Sequence, residues 1–278
     1  MKRIICSALI VHFLAFPLVT AAPTLAQDQM SHGKITVEYG ASTFTDVSAM
    51  LKRRMVLEEL QEFLSPLRLP KDLKILAKDC GAPTLPYVPG APITICYDLI
   101  NQIMAQSKRI YPEDTSSQYL IVTGATIEAV LHQTARAIFD VLQVPIWGRE
   151  GDAADRLAAL MMMQFGEDLE KVTIYGTTTL FKSLASSEST WTGSDFADRA
   201  SPEAQRYYNY LCIAVAGDPA IFGGAVENGT IPKFRAADCK HEYEQIVTAF
   251  DLRIMPYVDP DQLVKVRATQ WLDWPRNN

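Results

Sequence analysis

Long apolar runs are scarce in this 278-residue chain. After residue 26 none approaches the roughly 20 residues that a helical bilayer span requires, so no transmembrane helix is expected beyond that point. Basic residues are also few: 26 lysines and arginines stand against 32 aspartates and glutamates, scattered along the chain. A nucleic-acid face gathers its cations into a patch, so a nucleic-acid partner is excluded. No C-x-x-C pair occurs, which argues against a zinc site built from cysteines. Neither a repeat nor a convincing linker interrupts the chain, and one α+β domain is the simplest account.

What is present begins with an export signal. Lys2 and Arg3 precede an apolar run from Ile4 to Val19, broken by His12 and Pro17, and small residues then allow cleavage after Ala26. This is the pattern of a secretory signal peptide over residues 1–26, and it predicts a periplasmic or secreted protein. Cys6 lies at the start of the apolar run, not after it, which argues against lipoprotein cleavage there. Losing Lys2 and Arg3 takes the formal net charge from −6 to −8. Four cysteines remain, Cys80, Cys96, Cys212 and Cys239. An oxidising compartment favours two disulfides, with three connectivities open. The pairing of near neighbours would close two modest loops, each adding ~3 kcal/mol on the chain-entropy model.

Periodicity organises the rest. Residues 27–33 read as a loose lead-in, and 34–265 as the domain, with a tail over 266–278. Lys34–Tyr39 alternates as a half-buried strand does. A charged helix is expected from Val47 to Phe63, a strand over Leu73–Lys78, and a proline-rich loop over Gly81–Pro92. A strand over Ile93–Cys96 then runs into a helix over Tyr97–Ile110. Residues 176–200, rich in Ser, Thr, Gly and Asp, read as the most mobile stretch. The chain is mostly helical from Pro202, and Pro256 and Pro260 read as the end of regular structure.

The chemistry points to one helix, expected from about Thr126 to Leu142. Its apolar stripe contains Ile127, Val130, Leu131, Ile138, Val141 and Leu142. On it stands His132-Gln133-Thr134-Ala135-Arg136. Helical residues four apart share a face. Zinc peptidases use this with two histidine ligands at i and i+4 and a general-base glutamate directly after the first. Here only the first histidine is present. His241-Glu242 imitates the start of such a motif, but Gln245 stands at i+4 and a surface pair is expected. Met161–Met163 reads as core, Asn228-Gly229-Thr230 as a turn, and Ser186-Ser187 has no base to pair with. Trp191, Trp271 and Trp274 read equally as exposed contacts or as packed.

The stretch Leu131–Leu157, LHQTARAIFDVLQVPIWGREGDAADRL, resembles an exported, mostly bacterial metallopeptidase family classed as a domain of unknown function. That family reads H-E-x-x-H-A, then D-V-L-x-L-P, then G-R-E-E-D-A-A-D. This chain keeps Ala137, Asp140-Val141-Leu142, Pro145, Gly148-Arg149-Glu150 and Asp152-Ala-Ala-Asp155. Cys80-Gly81, Ile93–Leu99, Gln205–Asn209, Leu211-Cys212, Gly217-Asp218-Pro219 and the run Ile231–Tyr243 extend the likeness over most of the mature chain. The resemblance implies a zincin-like α+β fold, a small N-terminal sheet packed on a mostly helical body, and the local disulfides Cys80–Cys96 and Cys212–Cys239. It also implies zinc in the family at large, and places the family's functional positions in this chain residue by residue. His132 falls at the first ligand, Gln133 at the general base, Arg136 at the second ligand and Gly151 at the third.

Only His132 is competent as a ligand. An amide is no base near neutral pH, and a guanidinium has no free lone pair. The expectation is therefore a non-catalytic binding or regulatory protein, without a cofactor, that grips an extended peptide or protein against Ile93–Cys96. Two rivals are a hydrolase rebuilt around His132 with Asp152 or Asp155, and a structural envelope protein. Arg136 is expected to supply the site's positive charge by pairing with Asp155, Asp152 or Glu128, with Glu150 and Asp152 as conceivable stand-ins for the lost carboxylate. The alternative is that Arg136 turns to solvent.

Overall fold

Alternating burial sets the three strands of the sheet, β1 (Ile35–Tyr39), β2 (Leu73–Lys78) and β3 (Ile93–Cys96). They run parallel in the order β1-β2-β3, with Val37 opposite Ile75 and Ile75 opposite Ile93. These are coordinates of a computed structural model that describes residues 32–187 and 196–271. The expected signal segment, most of the lead-in, Trp191 and Trp274 lie outside those residues. Each strand stands within one residue of its expected place, because a glycine or proline stands shortly before each of them, Gly33, Pro70 and Pro92.

The helix expected over Val47–Phe63 is two helices, α1 (Thr45–Arg53) and α2 (Val56–Phe63). Met55 breaks it in the left-handed region, at φ 50° and ψ 36°. The cause is a phase conflict. At 100° per residue, the face that carries Val47 and Leu51 would run on to Arg54 and Glu58. Val56, Leu57, Leu60 and Phe63 would then point the opposite way. The break rephases the chain, so both sets are buried.

After β3 the chain enters α3 (Tyr97–Ile110) directly. The long α4 (Thr115–Val141) begins eleven residues before its expected start at Thr126, capped by Asp114, which accepts from Ser117 N–H at 3.0 Å. Gly124 reads as a breaker in sequence. In space it lets α4 cross close against α6 (Glu167–Ser187). A Cβ on Gly124 would lie 2.8 Å from the Thr173 carbonyl oxygen, and one on Gly176 would lie 2.1 Å from that of Leu120. Of the 176–200 stretch, expected to be the most mobile, the residues up to Ser187 continue α6. Thr173 and Thr178 are buried there, and their hydroxyls donate to carbonyls of the same helix.

Between them lies α5 (Glu150–Met162), and after α6 come α7 (Glu203–Gly217), two short turns α8 (Pro219–Phe222) and α9 (Gly224–Glu227), and α10 (Lys233–Arg253). A 3-10 turn (Met255–Tyr257) leads to α11 (Pro260–Ala268). Pro260 therefore starts a helix at its first position, capped by Asp259, and does not end regular structure. The tail expected from 266 begins inside this helix. Trp271 is packed, with its ring 5.8 Å from that of Phe63 and its Nε1–H donating to the Val266 carbonyl.

The result is α+β, a small parallel sheet on a mostly helical body, stapled by Cys80–Cys96 and Cys212–Cys239. The first ties the ends of β2 and β3 together. The second pins α10, whose one buried residue is Cys239, to α7.

One buried acid lies outside any site. Glu170 in the first turn of α6 is buried with one carboxyl oxygen unpartnered. Burial first, then the carboxylates of Asp218 and Glu167, push its pKa up to about 7. A raised folded-state pKa means the folded chain holds the proton more tightly. The associated stability is full below the unfolded value and is lost as pH rises through about 7. Glu170→Gln is expected to stabilise by about 1–3 kcal/mol more at pH 8 than at pH 4. Paired urea titrations measure this, and a mutant-to-wild-type gap that stays constant over that range refutes it.

Candidate functional site

Helical spacing brings Glu128, His132, Gln133 and Arg136 to one side of α4, because steps of four and eight return to the same face. The opposite side carries Val130, Leu131 and Ile138 into the core. Asp155, 1% exposed on α5, meets His132: Nδ1 and Oδ1 lie 2.7 Å apart. α7 adds Arg206 and Tyr210, again four apart. Arg206 grips Asp155 with two bonds, Nε to Oδ2 at 2.8 Å and Nη2 to Oδ1 at 2.7 Å, and reaches Glu128 Oε1 at 2.9 Å. The Tyr210 hydroxyl donates to the same Glu128 oxygen at 2.9 Å. Beneath the guanidinium lies the Phe181 ring, 4.2 Å from its central carbon.

Burial pushes the Glu128 carboxyl up, against the pull of Arg206 and His132. Burial also opposes ionisation of Asp155, but there the charge and bonds of Arg206, with those of His132, prevail and hold the carboxyl well below its usual range. An ionised Asp155 can only accept, so His132 Nδ1 carries the proton in their contact. Nε2 is then the ring nitrogen left for other partners. Burial, then Glu128, raises the Tyr210 phenol, which stays a donor. Glu128, His132 and Asp155 offer ligand atoms all within 4.8 Å of one another. By donor type that set could hold a cation, and the cation at its carboxylates is the Arg206 guanidinium.

Arg136 is placed otherwise than expected. It pairs with none of Asp155, Asp152 and Glu128, nor does it turn to solvent: it is 8% exposed, its Nε donates to Glu150 Oε1 at 3.0 Å, and its guanidinium lies 5.6 Å from the Tyr87 ring centre. Asp152 accepts instead from the backbone N–H and hydroxyl of Ser201, at 2.7 and 2.8 Å. Gly151 donates its N–H to the Arg199 carbonyl at 3.0 Å, and a Cβ there would lie 2.7 Å from that of Ala200. The 199–200 segment thus packs where a side chain at 151 would stand. Glu150, weighed as a stand-in ligand, is the partner of Arg136. Sequence reasoning missed Arg206 and Tyr210 as site residues. The available signal was an arginine one turn before a buried tyrosine on an apolar helix, a position arginine occupies only when paired.

The other candidates are structural. Glu242 is held by both terminal Arg235 nitrogens, at 2.6 and 2.9 Å, and His241 meets Gln245 at the surface. Met161 and Met162 are core. Asn228 accepts from Thr230 N–H across a turn with Gly229 at φ 77°. Ser186 and Ser187 donate to helix carbonyls.

His132, Gln133, Arg136 and Gly151 line one cleft of about 1020 Å³. Its other walls are the 83–86 loop, the outer edge of β3 at Thr94–Cys96, and residues 197–203. Among the described residues β3 is the last strand of the sheet and pairs with β2 alone, and its Ile93, Ile95 and Cys96 are buried. Four positions that the sequence singles out are therefore brought together beside β3.

The family model DUF4344, described as "Putative metallopeptidase", matches residues 38–252. No curated protein and no solved structure matches the chain.

Proposed function

The chain belongs to the "Putative metallopeptidase" family DUF4344, and from that premise we propose that it is an exported, non-catalytic member that holds an extended peptide in its cleft. The observation that carries the reading is the donor set on the cleft face. A catalytic zinc needs three protein ligands and an open position. His132 offers Nε2, Arg136 offers no lone pair and a fixed positive charge, and Gly151 offers no side chain. Two unit charges 4 Å apart repel by about 4 kcal/mol at an effective dielectric of 20, so Arg136 opposes a metal ion instead of helping to hold it. Gln133 cannot take a proton from water. These residues do not fit zinc, and no step is routed through it.

A cleft walled in part by the last strand of the sheet among the described residues supports the binding half of the proposal, since it gives an extended segment a strand to lie along. Two disulfides suit an oxidising compartment. Among the described residues no single helix is long and apolar enough to cross a membrane. The test is elemental analysis and peptide digestion with purified protein. Neither stoichiometric zinc nor chelator-sensitive cleavage is expected, and finding both overturns the proposal.

The His132–Asp155 contact favours a second reading, a hydrolase without the metal in which Asp155 orients His132 as a general base. It requires cleavage that survives chelator and disappears in His132→Ala.

A further inference from the structure

A second cavity, of about 480 Å³, shares no lining residue with the cleft, and its volume is that of a small-molecule site. Three helical segments wall it. α4 contributes Thr115, Tyr119, Val122 and Thr126, which steps of four, three and four place on one face. At about 1.5 Å per residue that face runs roughly 16 Å, from exposed Thr115 to buried Thr126. α3 adds Met104, Ser107 and Lys108. The third wall comes from both sides of the left-handed break at Met55, with Met50, Leu51 and Val56.

Polarity is sorted along this cavity. Arg53 and Lys108 are exposed, at its mouth, and the Arg54 guanidinium lies 5.3 Å from the Tyr119 ring centre. In a chain of formal net charge −6 the lining holds these three cations and one acid, Glu59. The inner end is apolar, with Leu51 and Ile127 buried, and the unbranched side chains of Met50 and Met104 adapt to the shape of a ligand. At that end stands Thr126, 4% exposed, whose Oγ1 is fully buried without a hydrogen-bond partner. The buried hydroxyls of Thr134, Thr173 and Thr178 donate to carbonyls of their own helices, and Ser107 in the facing wall does the same. Buried polar groups are satisfied in folded proteins almost without exception. Thr126 Oγ1 is left in want of a partner, and it belongs to a residue that lines a cavity.

We propose that this cavity binds a single-chain amphipathic anion. Its charged head lies among Arg53, Arg54 and Lys108, its apolar body runs along Val122 and the methionines, and an oxygen at its far end bonds the Thr126 hydroxyl. The surplus of cations at the mouth selects an anion, and the apolar inner wall selects one that has a body to bury. The site is separate from the cleft and does not depend on the peptide-binding reading.

Isothermal titration calorimetry on the purified protein tests this with ω-hydroxydodecanoate, dodecanoate and methyl ω-hydroxydodecanoate, which keep the chain and change one end at a time. The hydroxy acid is expected to bind most tightly. Dodecanoate should bind about 5-fold more weakly, the usual worth of one neutral hydrogen bond. The neutral ester should bind about 10-fold more weakly or worse, because bonds to a charged group are worth more. Thr126→Val keeps the side-chain shape and should bring the hydroxy acid down to the level of dodecanoate, whose own affinity stays as it was. Arg53→Gln/Lys108→Gln should remove the preference for the acid over its ester. Binding of none of the three probes overturns the proposal. So does equal binding of acid and ester, or of hydroxy acid and dodecanoate, and so does a preference for the hydroxyl that survives in Thr126→Val. The three-probe comparison uses the wild type alone, so a variant that folds poorly leaves it decisive.

Discussion

Arg206→Met is expected to destabilise the fold by about 3–5 kcal/mol, the usual result of removing one partner from a buried ion cluster. Methionine keeps the unbranched stem that packs over Phe181, so little of the loss is packing. What changes is charge. Asp155 and Glu128 would remain buried with Tyr210 and His132 as their partners, and two carboxylates would face each other without the guanidinium that bridges them at 2.7 and 2.9 Å. Urea unfolding at pH 7 measures the cost. Two controls make the assignment specific. Adding Glu128→Gln and Asp155→Asn to Arg206→Met should recover much of the stability, because the stranded charges are gone. Arg136→Met should cost about 1 kcal/mol or less, since its partner Glu150 has a third of its side chain in solvent, which screens the pair. If Arg206→Met costs no more than Arg136→Met, the network does not hold α7 against α4 and α5.

That network shows what can and cannot be read from a linear chain. The cleft face of α4 was legible because the helical period fixes which residues share a side, and the family pattern fixed where Asp155 should stand. Strand edges were legible because Pro83–Pro92 and the Ser65-Pro66 step leave few alternatives. The break at Met55 was hidden, since either half of Val47–Phe63 looks amphipathic by itself and only their combined phase exposes the conflict. Gly124 and Gly176 carry the sequence signature of breakers, yet each marks a helix crossing whose partner lies about 50 residues away. Arg206 illustrates the same limit for charge. Its carboxylate partners are 51 and 78 residues distant, and nearest-neighbour logic along α4 assigned the positive role to Arg136. Local periodicity locates a face, while the pairing of charges across it is decided by which helices the core brings together.

Restoring the family's residues should restore a metal site, and this is the larger functional effect. The variant Gln133→Glu/Arg136→His/Gly151→Glu is expected to carry about one zinc per chain, as three protein ligands and an open position dictate, whereas no stoichiometric metal is expected in the wild type. Part of such a site is already in place. His132 is oriented through Nδ1 by Asp155, the arrangement in which an outer carboxylate fixes a histidine and leaves Nε2 for a ligand. Position 136 shares its helical face one turn on, and position 151 borders the same cleft. The obstacle is Ala200, whose Cβ would meet the new side chain at 2.7 Å, so the 199–200 segment has to move outward and the Gly151–Arg199 backbone bond lengthens or breaks. Gln133→Glu/Arg136→His without the change at Gly151 supplies two ligands and a base, and should bind zinc far more weakly than the triple variant. Elemental analysis and competition with a chromogenic chelator rank the three proteins. A folded triple variant that binds no more zinc than wild type would mean that α4 and α5 do not approach at metal-ligand distance, and that the degenerate-site reading has the wrong geometry as well as the wrong residues.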